Sequence, residues 1–170
     1  DRQFRFEYLD RRIRENGRLS AFAYLGDQIP DFLTRLKAVA ISAKDLPCPL
    51  VAMDTAPAAV LGATLDPIVA DRAQKVVVNI GNLHSLAFRL GPAGIEGVFE
   101  HHTGMLDQNQ MELLLQGLAD GSLSHQDVFN SHGHGALIFN PAPFQLNDPN
   151  WNIAVTGPQR RLMQGSRLGS

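Results

Sequence analysis

Residues 75–104 read KVVVNIGNLHSLAFRLGPAGIEGVFEHHTG, and the rest of the predicted fold is arranged around them. Its three apolar runs predict an antiparallel meander with strands at 75–80, 84–90 and 95–101. Gly81-Asn82 supplies a tight turn of the type that joins antiparallel strands, and a Gly-Pro-Ala-Gly tetrapeptide supplies the second turn. Polar side chains crowd the ends of these strands, which is costly unless they bind something. We therefore expect a ligand site at this end of the predicted sheet.

The composition limits the class of protein. A chain of 170 residues, 44% of them hydrophobic, can fold as one domain or as one lobe of a larger protein. Its net charge of −2 argues against a nucleic-acid partner, and no apolar run reaches the length of a membrane span. The first residues carry neither an initiator Met nor an apolar signal segment, so we expect a cytoplasmic protein and a sequence that begins within a longer chain. A single cysteine, Cys48, excludes a disulfide framework, a zinc ribbon and a cysteine-ligated iron–sulfur cluster within this chain.

The segments before the meander show both helical and extended patterns. Residues 1–16 fit either a strand or a helix, and residues 19–25 fit a short strand. Apolar residues at helical spacing predict an amphipathic helix that begins near Pro30 and runs to about residue 40. A short buried strand is predicted at 50–53, followed by a helix of small residues that Asp54 or Thr55 caps and that Asp66-Pro67 ends.

The segments after the meander predict further helices and strands. Asp107 and Gln110 have capping-box spacing, and the apolar stripe that follows them predicts a helix at 107–118. A short helix is predicted at 124–129, strands are predicted at 136–139 and 152–156, and a helix is predicted to begin at 159–163. We expect residues 165–170 to form a disordered or vector-derived tail.

The turn between the first two strands of the meander is the first candidate site. Gly81 lets backbone N–H groups approach an anion, and Asn79, Asn82, His84 and Ser85 place amide, imidazole and hydroxyl groups beside it. These residue types predict a phosphate-binding turn. The alternative is an ordinary hairpin turn that binds nothing.

The end of the third strand, Glu100-His101-His102-Thr103, is the second candidate site. Because successive side chains of a strand point to opposite faces, His101 and His102 cannot both face one site while the strand continues. One of them, together with Glu100 or Thr103, could ligate a metal or relay a proton. The alternative is a pair of histidines that form ordinary hydrogen bonds at a strand end.

A further histidine pair, His132 and His134, flanks a glycine in a Gly-rich stretch. An extended H-x-H pair points both rings one way, and with His84 or His102 it could complete a three-histidine zinc site. We therefore regard His84, His101, His132 and His134 as candidate metal ligands. The alternative is a polar loop without a metal.

Two more candidates lie at the ends of predicted strands. Asp54 can be a helix N-cap only, or it can be a general base or a magnesium ligand. Gly157-Pro158 follow the last predicted strand and precede Arg160 and Arg161, at the position where ligands bind in α/β sheets. The alternative there is an ordinary turn with a solvated arginine pair.

Five blocks of the sequence together resemble one uncharacterised prokaryotic family over residues 4–163, namely VAMDTAPAAVLGATLDP, NIGNLHSLAF, GVFEHHTG, SHGHGALI and VTGPQRRL. Members of that family often carry the provisional label of pyruvate formate-lyase activating enzyme. A radical activase of that kind needs three closely spaced cysteines to hold its iron–sulfur cluster, and this chain has a single cysteine. The sequence therefore argues against the activase interpretation for this region.

The same family is distantly similar to the actin, Hsp70 and sugar-kinase ATPase superfamily. That resemblance implies an α/β fold with a ribonuclease-H-like lobe at 49–164, in which a three-strand meander precedes helices and further strands. It also implies that residues 1–48 complete or link to a first lobe elsewhere in the protein. NIGNLHS occupies the position of the superfamily's phosphate-binding hairpin, with Asn79 in place of an Asp. VTGP resembles its adenosine-packing glycine turn, with Pro158 in place of a second glycine, and the carbohydrate kinases imply a role as base for Asp54.

Three functions follow as expectations. The first is the C-terminal lobe of an actin-like ATPase or kinase relative that binds a phosphorylated small molecule or a nucleotide, with ATP and Mg²⁺ as the named case. Its binding residues would be Asn79, Gly81, Asn82, Ser85, Gly157 and Pro158, and its acid–base or metal candidates would be Asp54, Glu100 and His102. The second is a metal-dependent hydrolase or isomerase built on the histidines, and the third is a non-catalytic docking lobe. A homodimer is left open.

Overall fold

The computed structural model describes residues 2–146 and 152–168. The chain forms a mixed α/β fold with one five-stranded sheet and one two-stranded sheet. The helices are α1 (Arg2–Asn16), α2 (Thr34–Ser42), α3 (Thr55–Ala63), α4 (Pro67–Ala70), α5 (Gln108–Asp120) and α6 (His125–Asn130). The strands are β1 (Ala23–Leu25), β2 (Val51–Met53), β3 (Lys75–Ile80), β4 (His84–Gly91), β5 (Gly94–His102), β6 (Gly135–Ile138) and β7 (Ile153–Thr156). Short 3₁₀ turns lie at Leu19–Phe22, Gly26–Gln28, Thr103–Met105 and Arg160–Met163.

The predicted three-strand meander is confirmed and forms the centre of the large sheet. The strand order is β6-β5-β4-β3-β7, in which β3, β4, β5 and β6 are antiparallel neighbours and β7 runs parallel to β3. With these directions, the β3–β4 turn, the last residues of β5 and β7 and the first residues of β6 all meet at one end of the sheet. We call this the polar end of the sheet, and it positions most of the candidate site residues.

Each face of the large sheet is covered by its own helices. On one face, α1 and α3 pack on the alternate residues of β3, β4 and β5, and the shared apolar cluster includes Phe6, Leu9, Val60, Phe88 and Val98. On the other face, α5 packs through a second cluster that includes Val78, Phe99, Met111, Leu115 and Leu118. Burial of each such side chain contributes about 1.5–3 kcal/mol, so the sheet is held firmly from both sides. In the part of the chain that the structure describes, no helix has the length and apolar character needed to cross a membrane.

The helix predicted at 107–118 is confirmed as α5. The Asp107 side chain accepts a hydrogen bond from the Gln110 backbone N–H, and the Gln110 Oε1 accepts one from the Asp107 backbone N–H, so the capping box is complete. The helix ends at Gly121, whose φ of 78° is the left-handed conformation that glycine adopts readily. Met111, Leu115 and Leu118 form the buried stripe.

A buried ion pair in the meander was not predicted. Arg89 is fully buried on β4, where its Nε lies 3.2 Å from Glu96 Oε2 on β5. The same guanidinium donates to the carbonyl of Ala119 at 2.9 Å, near the C-terminus of α5. Arg89 therefore ties the sheet to α5, and its charge is matched by a carboxylate and by helix carbonyls.

Several predicted boundaries differ from the structure. Of the two patterns that residues 1–16 allowed, the structure shows the helix, and α1 begins at residue 2. The strand predicted at 19–25 is limited to β1, because a 3₁₀ turn occupies its first half. α2 begins at Thr34 rather than near Pro30, because Leu33 donates to the Pro30 carbonyl in a separate turn. The helix predicted at 159–163 is the 3₁₀ turn Arg160–Met163.

The predictions near β2 also need correction. β2 is not a buried strand throughout, because it belongs to the two-stranded sheet at the surface and leaves Val51 62% exposed. Asp66-Pro67 does follow the end of α3, but Pro67 also begins α4, since the Asp66 side chain accepts a bond from the Ile68 N–H.

The two ends of the chain pack against the rest of the fold. Phe6, Leu9 and Ile13 of α1 share a core cluster with the large sheet. The division of the chain into a linking segment at 1–48 and a lobe at 49–164 stays a prediction. Of the predicted disordered tail, Arg167 bonds Glu112 and Leu168 is 2% exposed in the α5 cluster, because α5 offers both a carboxylate and an apolar surface there. The tail residues 169 and 170 lie outside the described residues.

Candidate metal centre

Three histidines converge at the polar end of the sheet. His84 at the start of β4 is the cross-strand partner of His102 at the end of β5, and His134 lies directly before β6. The ring centroids are 4.9 Å apart for His84–His102 and for His84–His134, and 4.8 Å apart for His102–His134. One ring nitrogen from each residue lies within 4.8 Å of the other two. The sheet thus gathers three nitrogen donors from three neighbouring strands.

Strand alternation explains why His102, and not His101, faces this cluster. His102 shares a face with Glu100, whereas His101 points to the opposite face, where its Nε2 lies 3.2 Å from Ser131 Oγ. Burial lowers the pKa of His101 from its ordinary value, although its hydrogen bonds to the His102 carbonyl and Ser131 act in the other direction. His101 therefore serves as a buried neutral side chain at the strand end.

Glycines turn the chain so that His134 reaches the cluster and His132 does not. Gly135 has φ 140°, and a Cβ there would lie 2.3 Å from the His125 ring. Gly133 has no room for a Cβ either, since one would lie 2.5 Å from His101 Cδ2. The His134 N–H donates to the Glu100 carbonyl at 2.8 Å, whereas His132 is exposed with a φ of 70°. The chain is not extended at this H-x-H pair, since His132 has a positive φ, so the condition under which both rings would point one way is not met.

The donor set fits a transition metal. Neutral imidazoles are the preferred nitrogen ligands of Zn²⁺, and three of them leave a fourth tetrahedral position open. Ligand nitrogens around such a zinc are about 3.3 Å apart, as follows from Zn–N bonds of about 2.05 Å. The rings would therefore need to approach one another by roughly 1.5 Å, which small side-chain rotations allow at His84 and His102 because both are only half-buried.

Arg5 joins the two candidate carboxylates beside the cluster. Its Nε donates to Glu100 Oε2 at 2.5 Å, and its Nη2 lies 3.7 Å from Asp54 Oδ2. Glu100 is 1% exposed, so this pair is its charge compensation. Burial lowers the pKa of Arg5, whereas the charges of Glu100 and Asp54 raise it. The effect of the two carboxylates is the larger one, so the pKa of Arg5 lies above its ordinary value. The ion pairs hold Asp54 and Glu100 in fixed positions.

Asp54 is the N-cap of α3, as predicted. Its side chain accepts a hydrogen bond from the Thr55 N–H at 2.8 Å, and it also lies 3.4 Å from Arg35. Its predicted role as a general base stays a prediction. Arg5 was missed because it lies in the segment whose pattern fitted both a helix and a strand, and nothing local in the sequence pairs it with Glu100.

The residues predicted to bind phosphate lie at the same end of the sheet but differ in exposure. Asn79 is 6% exposed, and Ser85 is fully buried with its hydroxyl 2.9 Å from Thr103 Oγ1. Gly81 is tightly enclosed, since a Cβ there would lie 2.6 Å from the His84 carbonyl oxygen. Asn82 is exposed at the tip of the turn. Of these four residues, Asn82 is the most accessible to a ligand.

The Gly157-Pro158 turn lies beside the β3–β4 turn. Gly157 has φ 102°, and a Cβ there would lie 2.4 Å from the Ile80 carbonyl oxygen. The Gln159 side chain donates to Asn82 Oδ1 at 2.9 Å, which joins the two turns directly. The structure thus brings together the two segments that the superfamily resemblance assigned to phosphate and adenosine. Gln159 was not among the predicted residues.

The comparisons with known proteins identify a family but no characterised relative. No curated protein and no solved structure matches this chain. One family profile matches residues 1–162, which is well over half of the sequence. The chain therefore belongs to the family described as "Putative pyruvate format-lyase activating enzyme (DUF1786)".

Proposed function

We propose that this domain binds a divalent transition metal, with zinc as the best match, and uses it for hydrolysis. The observation that carries the proposal is the convergence of His84, His102 and His134, with ligand nitrogens within 4.8 Å of one another. Local sequence does not force this arrangement, because the three residues come from three different strand ends. The family description adds no support for radical chemistry, since the chain has one cysteine and it is exposed.

The three histidines occupy different positions around the proposed metal. His84 and His102, as cross-strand partners, set the distance between two of the ligands, and the buried His134 closes the third side. A zinc ion held by His84, His102 and His134 would supply Lewis-acid chemistry, which activates water near neutral pH and polarises a carbonyl or phosphoryl oxygen. In hydrolysis, the water oxygen adds to the electrophilic carbon or phosphorus, the bond to the leaving group breaks, and a proton passes to that group.

Glu100 and Arg5 support the site from behind the ligands. Glu100 lies two residues before His102 on the same face of β5, and its backbone carbonyl accepts a hydrogen bond from the His134 N–H. The pair of Glu100 with Arg5 fixes the end of β5 against α1. We therefore assign positioning roles to both residues, and their effect on metal affinity would be about 10–100-fold, as for other outer partners of metal ligands.

Metal titration of untagged protein tests the proposal. We expect stoichiometric uptake of Zn²⁺ by calorimetry and a tetrahedral visible spectrum with Co²⁺. At a free metal concentration 100 times Kd, the folded state gains about 2.7 kcal/mol, which a thermal melt detects. His102→Ala and His134→Ala should each lose more than 100-fold in affinity, beyond the roughly 10–100-fold effect of an outer partner.

The matched control is His132→Asn, because His132 is exposed and asparagine tolerates its positive φ. This variant should keep wild-type affinity. The proposal fails if wild-type protein takes up no metal, or if His132→Asn loses as much affinity as the two ligand variants.

A second candidate function is the binding of a phosphorylated ligand by a ribonuclease-H-like, actin-type lobe. Two observations favour it, namely the parallel placement of β7 beside the first strand of the meander and the Gln159–Asn82 bond between the two turns. Asn79 and Pro158 argue against ATP hydrolysis as part of this function. An amide is a poorer Mg²⁺ ligand than a carboxylate, and proline has no N–H to donate to a nucleotide. The first lobe, the cytoplasmic location and the homodimer stay predictions.

Calorimetry of the full-length protein with ATP and Mg²⁺ tests this second function. Binding that Asn82→Ala weakens and that His134→Ala leaves unchanged would support it. Absence of binding by the wild-type protein would overturn it, and the outcome is independent of metal uptake by the histidines.

A further inference from the structure

A cavity of about 260 Å³ lies between α1, α2 and the two-stranded sheet. Five aromatic side chains line it, namely Phe4, Tyr8, Phe22, Tyr24 and Phe32. Both tyrosines of the chain and three of its nine phenylalanines thus meet in one place. Aromatic enrichment of this kind, together with a few polar groups, is typical of small-molecule sites.

The aromatic walls are arranged to receive a flat ring. Phe32 contacts Phe4 edge-to-face, with centroids 5.3 Å apart and an interplanar angle of 89°, and it contacts Tyr8 in the same manner at 5.0 Å and 74°. Edge-to-face walls expose ring edges and faces to a guest ring, which favours an aromatic guest over an aliphatic one. Phe4 and Phe32 remain 48% and 41% exposed, so this pair lies at the solvent-facing side of the cavity.

Arg5 is the polar group of the cavity that can bind an oxygen atom of a ligand. Arg5 uses its Nε for Glu100, whereas its Nη2 lies 3.7 Å from Asp54, which is too long for a hydrogen bond. Arg5 therefore retains N–H donors for a carbonyl or carboxylate oxygen of a ligand.

The cavity lies near the three-histidine cluster along two strands. Leu86 lines the cavity and lies two residues from His84 on the same face of β4, a separation of roughly 7 Å along the strand. Arg5 lines the cavity as well and bonds Glu100, which stands two residues from His102 on β5. Arg5 is therefore the polar group of the cavity that connects it to the strand end carrying His102.

We infer that this cavity is the substrate pocket of the metal centre and takes a single-ring aromatic compound that carries a carbonyl or carboxylate oxygen. The ring packs against the aromatic side chains that line the cavity, and the oxygen is held by Arg5. This assignment rests on the proposed metal function, because it places the substrate relative to the three histidines. Binding of the ring itself needs no metal.

Titration of 4-fluorobenzoate into metal-free protein, followed by ¹⁹F NMR, tests the pocket first. We expect saturable binding with a Kd of roughly 1 mM, as about 10 non-hydrogen atoms can supply. Phe32→Ala should weaken it at least ~5-fold, and this variant should fold because Phe32 is partly exposed. Leu113→Ala is the control, since Leu113 is 64% exposed on α5. Absence of saturable binding, or an equal effect of both substitutions, would overturn the inference.

The second measurement tests the link to the metal centre. With Co²⁺ bound, the fluorine signal of the bound probe should relax strongly, whereas Zn²⁺ should have no such effect and His134→Ala should abolish it. Probe binding without Co²⁺-dependent relaxation, in protein that has taken up Co²⁺, would overturn the assignment of the pocket to the metal centre. Failure of metal uptake, with probe binding intact, would instead refute the proposed metal function and the substrate role that depends on it.

Discussion

Replacement of Arg5 by methionine should destabilise the fold through Glu100. Methionine keeps the apolar stem of the side chain but removes the charge that lies 2.5 Å from a carboxylate with 1% exposure. Breaking a fully buried ion pair from one side costs about 3–5 kcal/mol. Because the Arg5 side chain is 35% exposed, water can reach part of the pair, and we expect about 2–4 kcal/mol for Arg5→Met. For a domain of this size the melting temperature should fall by roughly 5–15 °C.

Urea unfolding followed by circular dichroism at pH 7 measures this effect. Arg35→Met is the matched control, because Arg35 is 82% exposed and its pair with Asp54 should contribute less than about 0.5 kcal/mol. The double variant Arg5→Met/Glu100→Gln removes both charges and should recover about 1–2 kcal/mol relative to Arg5→Met alone. If Arg5→Met were as stable as Arg35→Met, or if Glu100→Gln gave no recovery, the argument for a buried uncompensated carboxylate would be refuted.

Two further substitutions test other parts of the fold. Burial raises the pKa of Glu112, but hydrogen bonds from Arg167 outweigh it, and the net pKa lies below its usual value. A carboxylate whose pKa is lower in the folded state stabilises the fold when the pH is above its unfolded-state pKa. That contribution is lost as the pH falls through its folded-state pKa. Glu112→Gln should therefore lose about 1 kcal/mol at pH 7, a modest loss because Arg167 is 72% exposed and screened. In urea titrations the difference should begin to shrink near the unfolded-state pKa of about 4.3 and vanish once the pH is below the lowered folded-state pKa. A difference that persisted unchanged at low pH would contradict this. Gly157→Ala should cost at least about 2 kcal/mol, because its φ is 102° and the new Cβ would lie 2.4 Å from the Ile80 carbonyl oxygen. Gly165→Ala, at φ 78° with open space around it, should cost only about 1 kcal/mol in the same unfolding assay, and equal losses would refute the role of the contact.

The family label and the candidate site point to different chemistry. The description of the family names an activating enzyme, whereas the strongest constellation in the fold is three imidazoles at a strand end. A histidine site of this type uses the metal as a Lewis acid and needs no iron–sulfur cluster. The metal titration decides between these interpretations more directly than further comparison of sequences.

Local sequence patterns predicted the regular elements that local chemistry specifies. The meander was predictable because each strand is a continuous apolar run bounded by turn residues, and α5 was predictable because Asp107, Gln110 and Gly121 mark its two ends. α1 was not predictable, because its aromatic and arginine residues fit both the helical and the strand repeat. Only the packing of Phe6 and Leu9 against the sheet selects the helix.

The candidate site divides in the same way. Residue types and spacing predicted that polar residues crowd 79–85 and 100–103, and strand alternation separated His101 from His102. The folded chain was needed to show that His134 completes the cluster while His132 turns away, because that difference depends on the positive φ of His132 and Gly135. Only the tertiary structure paired Arg5 with Glu100, since these residues are 95 positions apart and meet through the packing of α1 on the sheet. Residue types and spacing are local properties, whereas a metal site or a substrate pocket requires distances that only the assembled strands and helices fix.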